Sequence, residues 1–177
     1  VADGVLNDTL RKACWNPVVY QIPGGDLVIY FKIGKSVSDW TGWMVRSKDG
    51  GKTWSKRMPL QKDYLGPVKN KPVMSKGRLI APTSIEKNGW RLYFEYSDDM
   101  GKTWQRTDYV AADSMMVDGK MKQKDLAIQP SIIFLNDGRL AAVARTRSEH
   151  VGITYSDDNG KTWSKLKLIT LPNNNSG

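Results

Sequence analysis

The chain has 177 residues, 40% of them hydrophobic, and its 27 Lys and Arg exceed its 18 Asp and Glu to give a formal net charge of +9. This length suits one domain with a sizeable core. The basic residues are spread along the chain, with no basic run that alternates with aromatics, no zinc-ligand spacing and no helix-turn-helix pattern, which argues against nucleic-acid binding. An acidic small ligand or a glycan is at least as compatible with this surface.

The chain contains one cysteine, Cys14, and one histidine, His150. These counts exclude an intrachain disulfide, a cysteine-based metal site and a multi-histidine metal site, so no metal or cofactor is expected. Cys14 lies beside Trp15, and the apolar setting predicts a buried thiol rather than a nucleophile. The sequence shows neither a signal peptide nor a transmembrane run, so no membrane partner is expected.

Short runs rich in Val, Ile, Tyr and Trp recur along the chain and are bounded by Gly, Asp, Asn and Pro. Helical periodicity is weak throughout. This pattern is typical of an all-β protein with little helix.

The pattern S-x-D-x-G-x-T-W occurs three times, at residues 47–54, 97–104 and 156–163. Ser and Asp side chains hydrogen-bond to backbone groups a few residues on, Gly accepts positive φ, and Trp supplies an apolar anchor just past the turn. Each copy therefore predicts a turn between two strands, and the Asp residues are expected to be turn formers rather than catalytic groups. The residues of the pattern are Ser47, Asp49, Gly51, Trp54, Ser97, Asp99, Gly101, Trp104, Ser156, Asp158, Gly160 and Trp163.

A longer repeat contains these turns. Each is preceded by a residue-proline pair that opens an apolar run, and Pro17, Pro72 and Pro130 are 55 and 58 residues apart. A further strand follows a Gly turn in each unit, so each unit is four strands, A to D, as in a propeller blade. The predicted blades are residues 16–60, 70–110 and 127–168, with connectors at 61–69 and 111–126, a lead-in at 1–13 and the start of a further blade at 171–177.

Three blades do not close a ring, because propellers typically contain about 4 to 8 blades. The chain is therefore expected to be a partial propeller. Its partners are expected to be either the remaining blades of the same protein, which we favour, or a second copy.

The S-x-D-x-G-x-T-W turn resembles the Asp-box of the sialidase (neuraminidase) superfamily, whose members are six-bladed propellers. The segments GPVKNKPV and LPNNNSG and residues 129–147 are similar to BNR-repeat sialidase-like proteins, many of them bacterial. The resemblance implies a glycoside hydrolase that acts on a terminal, acidic sugar of a glycan, and a secreted, periplasmic or cell-surface location.

Hairpin alternation puts the Asp-box turns at one end of the blades and the strand-A starts and B–C loops at the other, where a central pocket is expected. Arg145, in the segment ARTRSEH, resembles the sialidase arginine that grips the substrate carboxylate, a task suited to a guanidinium fork. Arg147 is a weaker match, and both arginines could instead be surface residues with ordinary ion pairs. Asn70, Lys71 and Gln129 at the strand starts complete the predicted substrate-binding set; for Asn70 and Lys71 a structural bond to a neighbouring blade is equally compatible.

The chain departs from the sialidase pattern in two places. Gln129 stands where sialidases tend to have a Glu that helps to activate a catalytic Tyr, and an amide cannot act as that base. Asn16-Pro17 stands where the family has Arg-x-Pro. Asp39, Glu86 and Glu149 are weak catalytic candidates, chosen by loop position alone, and each could be a solvated loop carboxylate.

The function predicted from the resemblance is that of part of a sialidase-like glycoside hydrolase. A non-catalytic glycan-binding or scaffolding propeller, or a different glycosidase or lyase on the same fold, are the alternatives. Residues 1–177 alone are expected to show no turnover, because three blades do not carry a complete site.

Overall fold

The structure is a computed structural model that describes residues 12–87, 89–113, 115–117, 120–122 and 127–173. The described strands form three four-stranded antiparallel sheets and one separate hairpin. The first sheet contains β1 (Cys14–Gln21), β2 (Leu27–Ile33), β3 (Thr41–Ser47) and β4 (Met58–Pro59). The second contains β5 (Val73–Ser75), β6 (Arg78–Ile85), β7 (Arg91–Ser97) and β8 (Gln105–Arg106).

The third sheet contains β11 (Ala127–Phe134), β12 (Leu140–Thr146), β13 (His150–Ser156) and β14 (Lys167–Pro172). In each sheet the strands are hydrogen-bonded in chain order, so each is an antiparallel meander. This arrangement confirms the predicted all-β fold class and the three four-stranded sheets of a partial propeller. Between the second and third sheets, β9 (Met115–Val117) pairs with β10 (Lys120–Lys122), a hairpin within what was predicted only as a connector.

Each pair of successive sheets shares an apolar core. Val28 and Tyr30 of the first sheet pack with Leu79 and Trp104 of the second, and Tyr30 and Trp104 meet edge to face at 6.2 Å between ring centroids. A second cluster joins the second and third sheets, where the rings of Phe94 and Trp163 stack at 3.7 Å. Trp104 and Trp163 therefore anchor the second and third sheets, each to the sheet before it.

Trp54 differs from the other two Asp-box tryptophans. It is 39% exposed, whereas Trp104 is 4% exposed. The described residues include no sheet that precedes the first one, so Trp54 lacks the apolar partner that the other two have. The expected anchoring role is thus seen in the second and third turns but not in the first.

Arginines reinforce the contact between sheets beside the Asp-box turns. Arg46 donates to the carbonyl of Gly101 at 3.1 Å, and Arg78 donates to the carbonyl of Asn159 at 3.2 Å. Arg78 also makes a bidentate pair with Asp98 at 2.7 and 2.9 Å. Each sheet is therefore fixed to the next by an aromatic contact and by an arginine.

Two expectations are corrected. Cys14 is exposed rather than buried. Its neighbour Trp15 turns inward, and its indole N–H donates to the Gly34 carbonyl at 2.9 Å. Because adjacent strand residues point to opposite faces, Cys14 faces outward. Leu171 and Pro172 belong to β14 rather than to the start of a further blade, since Pro172 pairs with His150. The remaining parts of the predicted lead-in (1–11) and of the last segment (174–177) lie outside the described residues.

Within the described part of the chain, no helix has the length and hydrophobicity that crossing a bilayer requires.

Candidate functional site

The strand registers define two ends of each sheet. In the third sheet Ala127 at the start of β11 pairs with Thr146 at the end of β12, and His150 begins β13 beside them. Leu140 and Ser156 pair at the opposite end, where the Asp-box turn follows. We call the end with the strand-A starts and the B–C loops the loop face, and the other end the Asp-box face.

On the Asp-box face, the three turns share one hydrogen-bond pattern. In the first, Asp49 accepts from the Thr53 backbone N–H at 2.9 Å and from its hydroxyl at 2.6 Å, while Ser47 accepts from the Gly51 N–H at 2.8 Å. The Thr53 bonds, with one from Ser47, lower the pKa of Asp49 to about 2. These carboxylates are therefore engaged in holding their turns, as expected of turn formers.

The first strands of the first and third sheets begin with a β-bulge. The register of β1 shifts between Trp15 and Val18, and that of β11 shifts between Ile128 and Ser131. The bulged residues Asn16 and Gln129 have φ values of 44° and 55°. Left-handed backbone at a residue other than Gly costs about 1–3 kcal/mol and clusters at functional sites. Two of the three residue-proline pairs that defined the repeat are thus strained bulges on the loop face.

Asn70 and Gln129 are brought together on this face. The Asn70 side-chain amide donates to the backbone carbonyls of Gln129 and Pro130 at 2.8 and 3.0 Å, and the Lys69 ammonium lies 3.4 Å from the Gln129 side-chain oxygen. The Gln129 backbone N–H donates to the Ser84 hydroxyl at 3.1 Å. Asn70 therefore makes the structural bond between sheets that the sequence left open, and Lys71 beside it is exposed.

Arg145 and Arg147 converge on one tryptophan. Their guanidinium carbons lie 4.7 and 4.6 Å from the ring centroid of Trp90, which is 7% exposed at the start of the C strand of the second sheet. Arg145 is half-buried and Arg147 is exposed. Cation–π stacking uses the face of a guanidinium, whereas a carboxylate is held by its edge, so the two interactions are compatible.

The loop that carries Arg147 is held at both ends. The Thr146 hydroxyl donates to the His150 carbonyl at 2.6 Å, and the Asn173 amide donates to the carbonyls of Thr146 and Ser148 at 2.8 and 2.9 Å. The backbone N–H of Asn173 also donates to the Glu149 carbonyl at 2.7 Å. The end of the third sheet therefore fixes the loop next to Arg145.

The three candidate carboxylates lie in different loops. Asp39 is exposed in the short 3-10 turn Val37–Asp39, where it accepts from the Ser36 hydroxyl at 2.9 Å. Glu149 is exposed beside His150. Glu86 is half-buried and directly follows β6, between Ser84, which contacts Gln129, and Trp90, which contacts the arginines. Glu149 is nearer to Arg147 along the chain, but Glu86 is the one of the three that is partly buried.

Several residues of this region were missed by the sequence reasoning. Trp90 was assigned only to a strand, and its position directly after a B–C loop was the available signal. Ser84 was predicted only as the start of a B–C loop and Asn173 only as part of LPNNNSG. The sequence did not indicate their partners, which are 45 and 27 residues away in the chain. Among the described residues, no three His, Cys, Asp or Glu side chains are grouped as metal ligands would be.

The model of the family described as BNR repeat-like domain matches residues 1–177, and the chain belongs to this family. The chain is 25% identical over 199 residues to a sialidase of Clostridium perfringens, an alignment that covers 91% of this chain and 52% of that protein. It is 29% identical over 146 residues to a sialidase of Paraclostridium sordellii, covering 71% of this chain and 33% of that protein.

Among solved structures, the chain resembles Trypanosoma rangeli sialidase in complex with sialic acid, with a TM-score of 0.62 at 21% identity, covering 86% of this chain and 27% of that one. This likeness shows the fold, which is that of a sialidase-like propeller. The chain spans 52% of the length of the first of these two curated relatives and 33% of the second.

Proposed function

We propose that the protein is a glycoside hydrolase of the sialidase-like class that acts on a terminal, acidic sugar of a glycan, bound on the loop face. The observation that carries this proposal is that the guanidinium groups of Arg145 and Arg147 both lie over the ring of Trp90. The Asn70–Gln129 contact lies beside Ser84 in the same set of loops. The names of the curated relatives support the same class.

Arg145 is the proposed carboxylate ligand. An arginine binds a carboxylate through two parallel charge-assisted hydrogen bonds, which fix both its charge and its orientation. Trp90 limits the motion of the guanidinium, so less side-chain entropy is lost when the sugar binds. Arg147, which is exposed on the same ring, adds positive charge and attracts the acid.

In this proposal, cleavage passes through an oxocarbenium-like state and needs a general acid or base next to the glycosidic oxygen. We assign this role to Glu86, because it is half-buried between Ser84 and Trp90. Gln129 does not act as a base, since its side chain is an amide. The base for a tyrosine nucleophile would therefore come from another position.

A non-catalytic glycan-binding protein is the second candidate, and Gln129 is the observation that favours it. Its carboxamide replaces the expected carboxylate and lies 3.4 Å from the Lys69 ammonium, a contact that suits a structural rather than a proton-transfer role. Binding of an acidic sugar would need the arginines but not an acid/base pair.

Hydrolysis by the intact protein of a panel of fluorogenic glycosides, with sialosides, uronides and neutral sugars, separates these candidates. We expect the wild-type protein to hydrolyse an acidic glycoside, and we expect the rate of turnover to fall in Glu86→Gln. Asp157→Asn, at an exposed carboxylate of the third Asp-box turn on the opposite face, serves as the control and is expected to keep the activity. Acidic-sugar binding without turnover of any panel member would favour the binding protein instead.

A further inference from the structure

A cavity of about 650 Å³ lies between the first and second sheets, lined by the first B–C loop, the connector at 61–69 and the last strand of the second sheet. Its size falls within the range of about 300–1,000 Å³ that is common for small-molecule sites. Asn70, Gln129, Arg145 and Arg147 are not among its lining residues. The cavity therefore goes beyond the proposed function and uses other residues.

Aromatic rings form much of the cavity wall, namely those of Trp40, Trp43, Tyr64, Tyr93 and Tyr109. Two of these rings are oriented by neighbours. The Trp43 indole donates to the Thr41 hydroxyl at 2.8 Å, and Tyr109 lies under the guanidinium of Arg91 at 4.5 Å from the ring centroid. Tyr93 and Tyr109 are covered by arginines and serve as the base of the wall. The partly exposed rings of Trp40, Trp43 and Tyr64 offer the apolar surfaces on which the C–H face of a sugar ring can lie.

The charged residues of the lining are mostly cationic. The lining includes three cationic residues, Lys62, Lys87 and Arg106, and one acid, Asp63. Arg106 is exposed and lies over Tyr93 and Tyr109, at 4.8 and 5.4 Å from their ring centroids. A ligand that combines apolar ring faces with a negative charge complements such a lining.

The wall formed by the connector is anchored from beneath. Glu95, which is fully buried, accepts from the backbone N–H groups of Leu65 and Gly66 at 2.9 and 2.7 Å. The buried Lys32 ammonium donates to the Pro67 carbonyl. Since Leu65 lines the cavity, these bonds hold the wall in place before a ligand arrives, which lowers the entropy cost of binding.

We propose that this cavity is a binding site for an acidic oligosaccharide, with sugar rings against the aromatic wall and a carboxylate beside Lys62 and Arg106. A single-stranded nucleic acid would also find aromatic rings and positive charge. It is disfavoured because the basic residues are spread along the chain and do not form a track for successive phosphates.

Isothermal titration calorimetry on the intact protein tests this site with three probes: trigalacturonic acid, its neutral methyl ester and octathymidylate. We expect the acid to bind at least about tenfold more tightly than the ester, and the double substitution Lys62→Glu/Arg106→Glu to weaken it by about tenfold or more. Lys102→Glu/Lys161→Glu, at two exposed lysines of Asp-box turns, is the charge-matched control and should leave the affinity unchanged.

Two further readouts localise the binding. Trigalacturonic acid is expected to change tryptophan fluorescence in the wild-type protein and less so in Trp43→Leu, which keeps an apolar side chain. Arg145→Ala should retain the affinity, so the outcome is independent of the loop-face proposal. The inference is overturned if trigalacturonic acid does not bind at millimolar concentration, or if the acid and its ester bind equally well. It is also overturned if octathymidylate binds more tightly, or if affinity for the acid falls in Arg145→Ala but not in Lys62→Glu/Arg106→Glu.

Discussion

The serine of the second Asp-box turn, Ser97, has a buried hydroxyl with three hydrogen bonds. It accepts from the backbone N–H groups of Gly101 at 2.7 Å and Asp99 at 3.4 Å, and it donates to the Asp99 carboxylate at 2.7 Å. Ser97 is 2% exposed, and Gly101 is also buried. Without the hydroxyl, the Gly101 N–H would lose its partner at a position that solvent does not reach.

Ser97→Ala is therefore expected to lower the free energy of unfolding by about 1–3 kcal/mol, the cost of a buried unsatisfied donor. Chemical denaturation of the intact protein measures the change. Ser38→Ala, at an exposed loop serine, provides the comparison and should have little effect. Equal stabilities of the two variants would show that the hydroxyl does not support the turn.

The bonds of the Asp-box turns could be predicted from the sequence because they join residues within about one turn of each other. The environments of Trp54 and Cys14 could not. Whether Trp54 is covered depends on a neighbouring sheet, and whether Cys14 faces inward depends on which face of β1 its neighbour Trp15 occupies. Local sequence determines the hydrogen bonds within a turn, but it does not determine which residues of a neighbouring sheet pack against that turn.

At the scale of elements, the connector at 61–69 is fixed by two buried charged side chains. Glu95 in β7 holds Leu65 and Gly66, and Lys32 in β2 contacts Pro67. Burial lowers the pKa of Lys32 to about 7, against the opposing attraction of Glu95. Burial also raises the pKa of Glu95, while its backbone hydrogen bonds act in the other direction.

The lowered pKa of Lys32 predicts a pH dependence of stability. Below pH 7 this lysine is protonated in both the folded and the unfolded state. Between its pKa of about 7 in the folded state and its ordinary pKa of 10.5, the unfolded state binds more protons than the folded state. Raising the pH through this window therefore stabilises the fold, with a slope of up to about 1.4 kcal/mol per pH unit. Chemical denaturation between about pH 7 and pH 9 measures it.

Lys32→Met is the variant that tests this origin, because its side chain is similar in length and does not titrate. We expect the rise in stability attributable to Lys32 to disappear in this variant. The exposed Lys102→Met is the control and should keep the wild-type slope. A slope that is the same in all three proteins would place the titrating group elsewhere.

The contact of Lys32 with the connector at 61–69 could not be predicted from the sequence. Lys32 lies in the apolar run LVIYFKI and contacts a carbonyl 35 residues further along the chain. Strand patterning predicted the strand, since the run is bounded by turn residues, but a lysine within it gives no indication of its partner. Long-range pairing of buried charges depends on how the sheets are arranged.

At the scale of the whole molecule, the third sheet repeats the contact set that the second sheet uses to bind its neighbour. Arg139 contacts Asp137 at 2.8 Å and lies over Tyr155 at 5.5 Å, much as Arg78 pairs with Asp98 and lies over Tyr96. Arg139 is 46% exposed, whereas Arg78 is 10% exposed. We expect a further sheet to pack against this face in the complete propeller.

The spacing of the Asp-box turns was enough to predict the fold, because a repeat of four strands has few ways to bury its faces. The proposed loop-face site was harder to predict. Blade geometry placed Gln129 and Arg145 on this face and the resemblance singled them out, but their contacts with Trp90, Ser84 and Asn70 are made between sheets. Which residues meet on this face depends on the packing of whole sheets.

The most direct test of the central claim is the dissociation constant of the intact protein for the tighter binder of N-acetylneuraminic and glucuronic acids. Arg145→Ala is predicted to weaken this binding by about 1.5–3 kcal/mol, or about 10- to 150-fold, and Arg145→Lys by less. Lys161→Ala, an exposed cation of the Asp-box face, should bind as the wild type does. An unchanged dissociation constant in Arg145→Ala would contradict the account.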